Sequence, residues 1–192
     1  ELLRLNIGIL ILHLVMTASF VLLPHLLIDY AHLAANQHGW VYLPIVLGGF
    51  IAAVPAIIIA EKKQKIKSVF VFGIGLLMLS LIVLAQGYSH YVSLLVGISL
   101  FFIAFNLLEA LLPSLLSKIA PAGSKATAMG IYSSSQFFGA FLGGVCGGIL
   151  WGYHNIQMAY WLLVACALIW LIVASFMRPP RFFQSMMFDV PH

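Results

Sequence analysis

Residues 105–148 read FNLLEALLPSLLSKIAPAGSKATAMGIYSSSQFFGAFLGGVCGG, and this stretch decides the fold class. Two apolar runs, each long enough to cross a bilayer, flank a short polar turn that carries Lys118 and Lys125. The first run holds Glu109, the one acidic residue deep inside an apolar stretch of this sequence. The second run spaces three glycines four residues apart: Gly139, Gly143 and Gly147. A buried carboxylate beside a closely packed glycine helix indicates a membrane protein and argues against a soluble enzyme.

The composition of the whole chain also indicates a membrane protein. Of 192 residues, 63% are hydrophobic and only 7% are charged, and the mean hydropathy is +1.10. Soluble domains carry about 25% charged residues, so this chain needs the bilayer around it. The pI is 9.2. We attribute this excess of basic residues to signals that orient the chain in the membrane and not to nucleic-acid binding. Cys146 and Cys166 lie in apolar runs without metal-ligand spacing, and we interpret them as small buried residues.

The apolar runs predict an all-α integral membrane protein. A hydrocarbon core needs roughly 20 helical residues per crossing. Six stretches qualify as spans: 5–28, 40–60, 68–86, 91–117, 127–150 and 157–177. No period-two alternation of the kind that a membrane barrel needs is visible. We therefore predict a six-helix transmembrane bundle over residues 1–180, followed by a cytoplasmic tail at 181–192.

The basic residues predict the orientation of this bundle. They fall in the N-terminal segment, the second and fourth loops, and the tail: Arg4, Lys62, Lys63, Lys65, Lys67, Lys118, Lys125, Arg178 and Arg181. The three opposite loops, at 29–39, 87–90 and 151–156, contain no Lys or Arg. Because cytoplasmic loops carry an excess of Lys and Arg, both termini are expected in the cytoplasm.

A weak internal repeat relates the two halves of the predicted bundle. Spans one and four carry polar residues in mid-run, and spans two and five carry the glycine pairs 48–49 and 143–144. The first triplet of spans begins on the inside and the second on the outside. The pattern is therefore a 3+3 inverted repeat, as found in each half of twelve-span transporters.

Glu109 is the candidate for proton coupling. An ionisable group inside a span is costly and is functional by default, so one interpretation is a carboxylate that takes up and releases protons as a cavity alternates. The other interpretation is a structural carboxylate near the cytoplasmic end that bonds to a neighbouring helix.

Five further residues are candidates for a substrate cavity. They are polar residues of spans one, four and five: His13, Thr17, Asn106, Tyr132 and Gln136. The first two are one turn apart on span one, Asn106 shares a face with Glu109, and the last two share a stripe with the glycines. The alternative for each is a hydrogen bond between helices. The three glycines of span five are predicted to pack closely against another helix.

The sequence contains no motif typical of catalysis. It has no HExxH, GxSxG or phosphate-binding loop, and no pair of acidic residues within reach of each other. It also lacks tight metal-ligand spacing among its histidines. We therefore predict neither an enzyme nor a cofactor or metal site.

The chain resembles the C-terminal half of a major facilitator superfamily transporter of the drug/proton antiporter-like kind, and it looks closest to the YajR type of inner-membrane transporter. The most specific stretch is LFFIAFNLLEALLPSLLSKIAPAGSKATAMGIYSSSQFFGAFLGG at 100–144. Two others support it, WVYLPIVLGGFIAAVPAIIIAEKKQKIKSVFVFG at 40–73 and VASFMRPP at 173–180. Together the resemblance covers most of residues 1–180.

The resemblance implies a twelve-span, alternating-access transporter of the inner membrane. Its cavity-lining helices would here be spans one, two, four and five. Glu61, Lys62 and Lys67 fall where the family has an acidic and basic cytoplasmic loop motif, although this copy lacks the glycine of that motif. The N-terminal six spans are absent, so the chain is expected to be a fragment or a truncated protein.

The expected function is proton-coupled efflux of small amphipathic molecules. The expected partners are the lipid bilayer, the missing N-terminal half or a second copy of the chain, a small-molecule substrate and the proton. Two alternatives stay open, a half-size transporter that acts as a homodimer and a non-transporting membrane scaffold.

Overall fold

The computed structural model describes residues 1–153 and 155–177, apart from the side chain of Ala122. These residues form six long helices and no strand, which confirms the predicted all-α fold class. The helices are α1 (Leu2–Asp29), α2 (His38–Lys62), α3 (Ile66–Gly87), α4 (Tyr91–Ile119), α5 (Lys125–Gly152) and α6 (Ile156–Ser175). Single 3-10 turns, Ala35–Gln37 and Ala122–Ser124, lead into α2 and α5. The predicted tail at 181–192, with Arg178 and Arg181, lies outside the described residues.

Five helical segments of the described chain are long and apolar enough to cross a membrane. They are α1, the segment Ala35–Lys62 that contains α2, α3, α4 and α6. The exception is α5, which has 28 residues and a single charge at Lys125, so its hydropathy is what falls short. Three serines, Gln136 and the glycines account for this lower hydropathy. That α5 crosses the bilayer, and where the bilayer ends along each helix, stay predictions.

The helices α1 and α5 run parallel along a shared seam. Gly139 lies against Leu10, and Gly147 lies against Ala18, so residue numbers rise in the same direction on both helices. Parallel packing of the first and fifth helices is what an alternating up-and-down bundle requires.

Contacts at the helix ends gather the basic residues at one end of the bundle. Arg4 near the start of α1 donates a hydrogen bond to the carbonyl oxygen of Phe176 beyond the end of α6, at 2.7 Å. Glu61 at the end of α2 pairs with Lys118 at the end of α4. The start of α1 and the ends of α2, α4 and α6 therefore share one end of the molecule.

The packing reproduces the predicted 3+3 repeat. The repeat relates α1 to α4, α2 to α5 and α3 to α6. The α1–α5 interface should therefore have a counterpart between α4 and α2. Likewise, the α3–α4 interface should have a counterpart between α6 and α1. All four of these pairs are in contact. The glycines take equivalent places, because Gly49 of α2 approaches the α4 backbone at Phe102 and Gly143 of α5 approaches the α1 backbone at Leu14.

Burial is unequal among these helices. In the most apolar 18-residue window of each, 56% of the residues are buried in α1 and 44% in both α3 and α4, but only 17% in the segment containing α2. Large exposed apolar side chains concentrate on α2, α5 and α6. The core thus lies among α1, α3 and α4, while α2 and α5 present broad apolar faces.

Candidate functional site

The side-chain amide of Gln136 joins three helices inside the bundle. Its Nε2 lies 2.8 Å from Nε2 of His13 on α1 and 3.2 Å from Oε1 of Glu109 on α4. His13 Nε2 and Glu109 Oε2 are 3.9 Å apart. Three of the residues singled out from the sequence are therefore brought together in one hydrogen-bonded cluster, which we call the His13–Gln136–Glu109 cluster.

The hydrogen bonds of His13 assign its tautomer. Nδ1 lies 3.3 Å from the carbonyl oxygen of Ile9, an atom that can only accept, so Nδ1 carries the hydrogen. Nε2 then presents a lone pair and accepts from the amide of Gln136. The imidazole is buried, and the edge of its ring meets Phe105 at a centroid distance of 5.8 Å.

The three residues meet because they lie at matching depths on helices of alternating direction. His13 is about three turns from the start of α1, Gln136 is about three turns from the start of α5, and Glu109 is almost three turns before the end of α4. All three are about 15 Å from the end of the bundle that carries the basic residues, at 1.5 Å per residue.

Three of the candidate residues have a polar atom without a partner, and for Asn106 that atom lies against Gly49 of α2. Glu109 Oε2, Asn106 Nδ2 and Tyr132 Oη are buried and make no hydrogen bond to any described residue. The Glu109 side chain as a whole is nevertheless 37% exposed, although its Oε2 atom is buried. Among the described residues, the one charge-pair contact of this carboxylate is with His13. The Glu109 oxygen and the Tyr132 hydroxyl lack partners among the described residues and can bond to a ligand, a water molecule or a proton.

Thr17 is the one cavity candidate that the structure leaves outside this arrangement. It lies about one turn beyond His13 on α1, and its methyl carbon is 3.8 Å from where a Cβ on Gly144 would lie. Its hydroxyl takes no part in the cluster.

Main-chain contact between α1 and α5 fixes the position of His13 relative to Gln136. A Cβ on Gly139 would overlap the carbonyl oxygen of Leu10, and one on Gly143 would overlap that of Leu14. At the third glycine of the seam, Gly147, a Cβ would lie 3.0 Å from the Cα of Ala18. The two backbones touch directly along this seam, as small residues at four-residue spacing allow.

A second cluster ties α2 to α4 at the basic end of the bundle. Ser114 donates a hydrogen bond of 2.8 Å to Glu61 Oε1, and Lys118 pairs with Glu61 Oε2. The sequence singled out Glu61 with Lys62 and Lys67, but the structure does not bring those two lysines into this cluster. The missed signal was the four-residue spacing of Ser114 and Lys118, which puts both on one face of α4.

Within residues 1–153 and 155–177, no three His, Cys, Asp or Glu side chains are placed to hold a metal ion. Residues that sequence reasoning missed at the main cluster are Phe105, which flanks His13, and Ile9, whose carbonyl fixes its tautomer. Backbone carbonyls leave no mark in a sequence, so the second of these had no signal.

Comparisons with known proteins agree with this architecture. The family model of the Major Facilitator Superfamily matches residues 5–185. Inner membrane transport protein YajR of Escherichia coli (strain K12) is 47% identical over 191 residues, which cover 100% of this chain and 42% of that protein. An uncharacterized transporter of Buchnera aphidicola subsp. Baizongia pistaciae is 29% identical over 173 residues, covering 89% of this chain and 44% of that protein.

A solved structure shows the same fold. The crystal structure of the human organic anion transporter MFSD10 (TETRAN) matches with a TM-score of 0.67 at 18% identity, over 90% of this chain and 46% of that one. At this identity the likeness concerns the fold alone. The chain spans less than half the length of the curated relatives it matches. The matches to the family model and to YajR extend over nearly all of the sequence and confirm the resemblance, so the chain belongs to the Major Facilitator Superfamily.

Proposed function

We propose that this chain forms the C-terminal half of a proton-coupled transporter that exports small amphipathic molecules across the inner membrane by alternating access. The observation that carries the proposal is the His13–Gln136–Glu109 cluster, because it places a carboxylate and an imidazole inside an apolar bundle. Ionisable groups at that depth are typical of proton relays in transporters.

Glu109 is the proposed proton carrier. One carboxylate oxygen accepts a single hydrogen bond from Gln136, and the other, Oε2, is buried without a hydrogen-bond partner among the described residues. An ionised carboxylate in such a place is expensive to enclose further. A proton on Oε2 removes that cost, so proton binding favours the state in which the cavity closes around Glu109.

The surroundings of Glu109 suit an amphipathic substrate. Phe105 contributes an apolar ring, and Tyr132 contributes a buried hydroxyl that lacks a partner in the described chain. Binding sites for small molecules combine apolar walls with a few placed polar groups in this way. A substrate that pairs with the carboxylate competes with the proton for it, which couples export to proton entry.

A second six-helix half is the proposed partner. The matched relatives are about twice as long as this chain, and α2 and α5 expose large apolar side chains that include Phe50, Ile51, Phe137 and Phe141. In the assembled transporter these faces would meet the N-terminal half and enclose the cavity, with the remaining surface in lipid. A second copy of the chain is the alternative occupant.

The coupling role is tested with the full-length protein in proteoliposomes. Export of a fluorescent amphipathic dye, ethidium, is followed with and without a proton gradient, and a trapped pH indicator reports proton movement. Glu109→Gln should lose gradient-driven export and proton movement together. Asp29→Asn is the control, since it removes an exposed carboxylate from the end of α1 and should keep both.

An unchanged response of Glu109→Gln to the gradient would remove Glu109 from the mechanism. The choice of partner is tested by cross-linking in native membranes. If the cross-linked protein that contains this chain migrates only as a monomer, the two-copy alternative is ruled out.

A further inference from the structure

The contacts of Gln136 fix which groups in its cluster carry protons. Its Nε2 faces two atoms, His13 Nε2 at 2.8 Å and Glu109 Oε1 at 3.2 Å. An amide nitrogen only donates, so both facing atoms must present lone pairs. The observed arrangement is therefore satisfied when His13 Nε2 has no hydrogen and the Glu109 oxygen facing the amide has none.

A proton at either facing atom opposes this arrangement. On His13 Nε2 it would set two N–H groups against each other, and the amide would have to present its oxygen instead. On Glu109 it would neutralise the carboxylate and weaken a charge-assisted hydrogen bond. Both N–H groups of the amide thus stabilise the proton-free cluster. Proton uptake at His13 Nε2 requires the amide to turn, whereas a proton on Glu109 Oε2 leaves Oε1 as an acceptor and only weakens its hydrogen bond.

We propose that Gln136 is a positioning residue that holds His13 and Glu109 in their proton-free forms and so sets the pH at which the site loads. This inference rests on the proposed function, in which Glu109 carries the coupled proton. It assigns to Gln136 a role that the sequence left open between substrate contact and a hydrogen bond between helices.

Other titratable and charged groups on the packed helices do not bond to His13 or Glu109 in the described chain. Tyr132 lies about one turn before Gln136 on α5, and its hydroxyl forms no hydrogen bond to a described residue. Arg4 on α1 binds Glu1 and the Phe176 carbonyl, and Lys118 on α4 pairs with Glu61 of α2. The rest are His25 and Asp29 on α1, His38, Tyr42 and Lys62 on α2, Lys67 on α3, Tyr91 on α4, Lys125 and Cys146 on α5, and Tyr160 and Cys166 on α6. None of these groups forms an ion pair or hydrogen bond with His13 or Glu109 in the described chain, so Gln136 is the polar side chain that bonds to both.

The test follows protonation of the two groups by infrared spectroscopy of the purified full-length protein, titrated without substrate. The carboxylic acid band of Glu109 is assigned by its loss in Glu109→Gln, and the imidazolium band of His13 by its loss in His13→Asn. Gln136→Met keeps the length of the side chain but removes both N–H groups. In this variant the first proton to enter the pair should arrive at a pH about one unit higher, a tenfold gain in proton affinity.

Ile169→Leu is the control, because it changes an exposed side chain on α6, outside the four helices expected to line the cavity, and should leave both titrations in place. Gln136→Leu gives a second variant without N–H groups if Gln136→Met does not fold. A merely structural role for Gln136 would lower protein yield and leave the titration midpoints where they are. Unchanged midpoints in a folded Gln136 variant overturn this inference and leave the proposed function standing. Absence of any titration of His13 or Glu109 in the unmodified protein overturns both.

Discussion

Three residues of the candidate site each hold a buried polar atom that finds no partner in the described chain, namely Asn106, Glu109 and Tyr132. A buried donor or acceptor without a hydrogen bond costs about 1–3 kcal/mol. Proteins depart from full hydrogen bonding mainly at functional positions. Similar atoms occur elsewhere in the described chain, on Asn6, Ser19, Tyr42 and Tyr160. Those of Glu109 and Tyr132 are what we expect of a site built for a ligand and not for stability.

Removing the hydroxyl of Tyr132 tests this interpretation. Tyr132→Phe loses no protein hydrogen bond, so the free energy of unfolding should stay within about 0.5 kcal/mol or rise. Tyr132→Ala also loses the buried ring and should cost about 3–5 kcal/mol. Thermal unfolding of the purified full-length protein without substrate measures both. A large loss of stability in Tyr132→Phe would mean that the hydroxyl has a partner on which the fold depends.

Residue types in the site were predictable from the sequence, but their pairing was not. Glu109, His13 and Gln136 stood out because polar groups are rare in apolar spans. Gln136 is 123 residues from His13 and 27 residues from Glu109, and no local pattern carries such a separation. The same limit hid Ser114 and Lys118 as partners of Glu61, 53 and 57 residues away.

At the scale of helices, the seam between α1 and α5 determines the geometry of the site. It depends on glycines that face α1, whereas a Cβ on Gly148 of the same helix would meet nothing within 4 Å. Spacing in the sequence identified the right helix. It also singled out the stripe 139–143–147 over the shorter stripe 144–148, but it did not indicate which helix would lie against that stripe.

Two glycine-to-alanine substitutions on α5, one in each stripe, test which stripe contacts α1. Gly143→Ala places a methyl group on the Leu14 carbonyl oxygen and should destabilise the protein by about 1–3 kcal/mol, since the backbones must move apart. Gly148→Ala meets open space and should be neutral or stabilise the helix by up to about 1 kcal/mol. Chemical denaturation in detergent compares the two variants. Equal stability of both would contradict direct backbone contact along the seam.

For the molecule as a whole, alternating helix direction gathers the basic residues at one end, and the predicted orientation puts that end in the cytoplasm. The helical class and the inverted repeat followed from the sequence because bilayer thickness sets helix length and the repeat recurs in the glycine positions. The sequence did not indicate which helices pack together. Every span is apolar nearly all round, and no periodic stripe indicates a neighbour.

Labelling of single cysteines tests the orientation. Cysteines replacing Lys63 and Lys125, in a protein whose Cys146 and Cys166 have been changed to serine, should react with a membrane-impermeant maleimide only in inside-out vesicles. A cysteine replacing His90 should react only from the outside of intact cells. Reaction of the Lys63 and Lys125 positions from opposite faces would overturn the six-span arrangement.

Backbone contact between α1 and α5 also determines how the carboxylate is reached. The carbonyl oxygens of Leu10 and Leu14 lie against glycines on both sides of His13, so no organic molecule passes between these two helices at that level. The seam therefore closes one side of the site. In the proposed transporter, an organic cargo would have to approach Glu109 by a route that does not pass between α1 and α5.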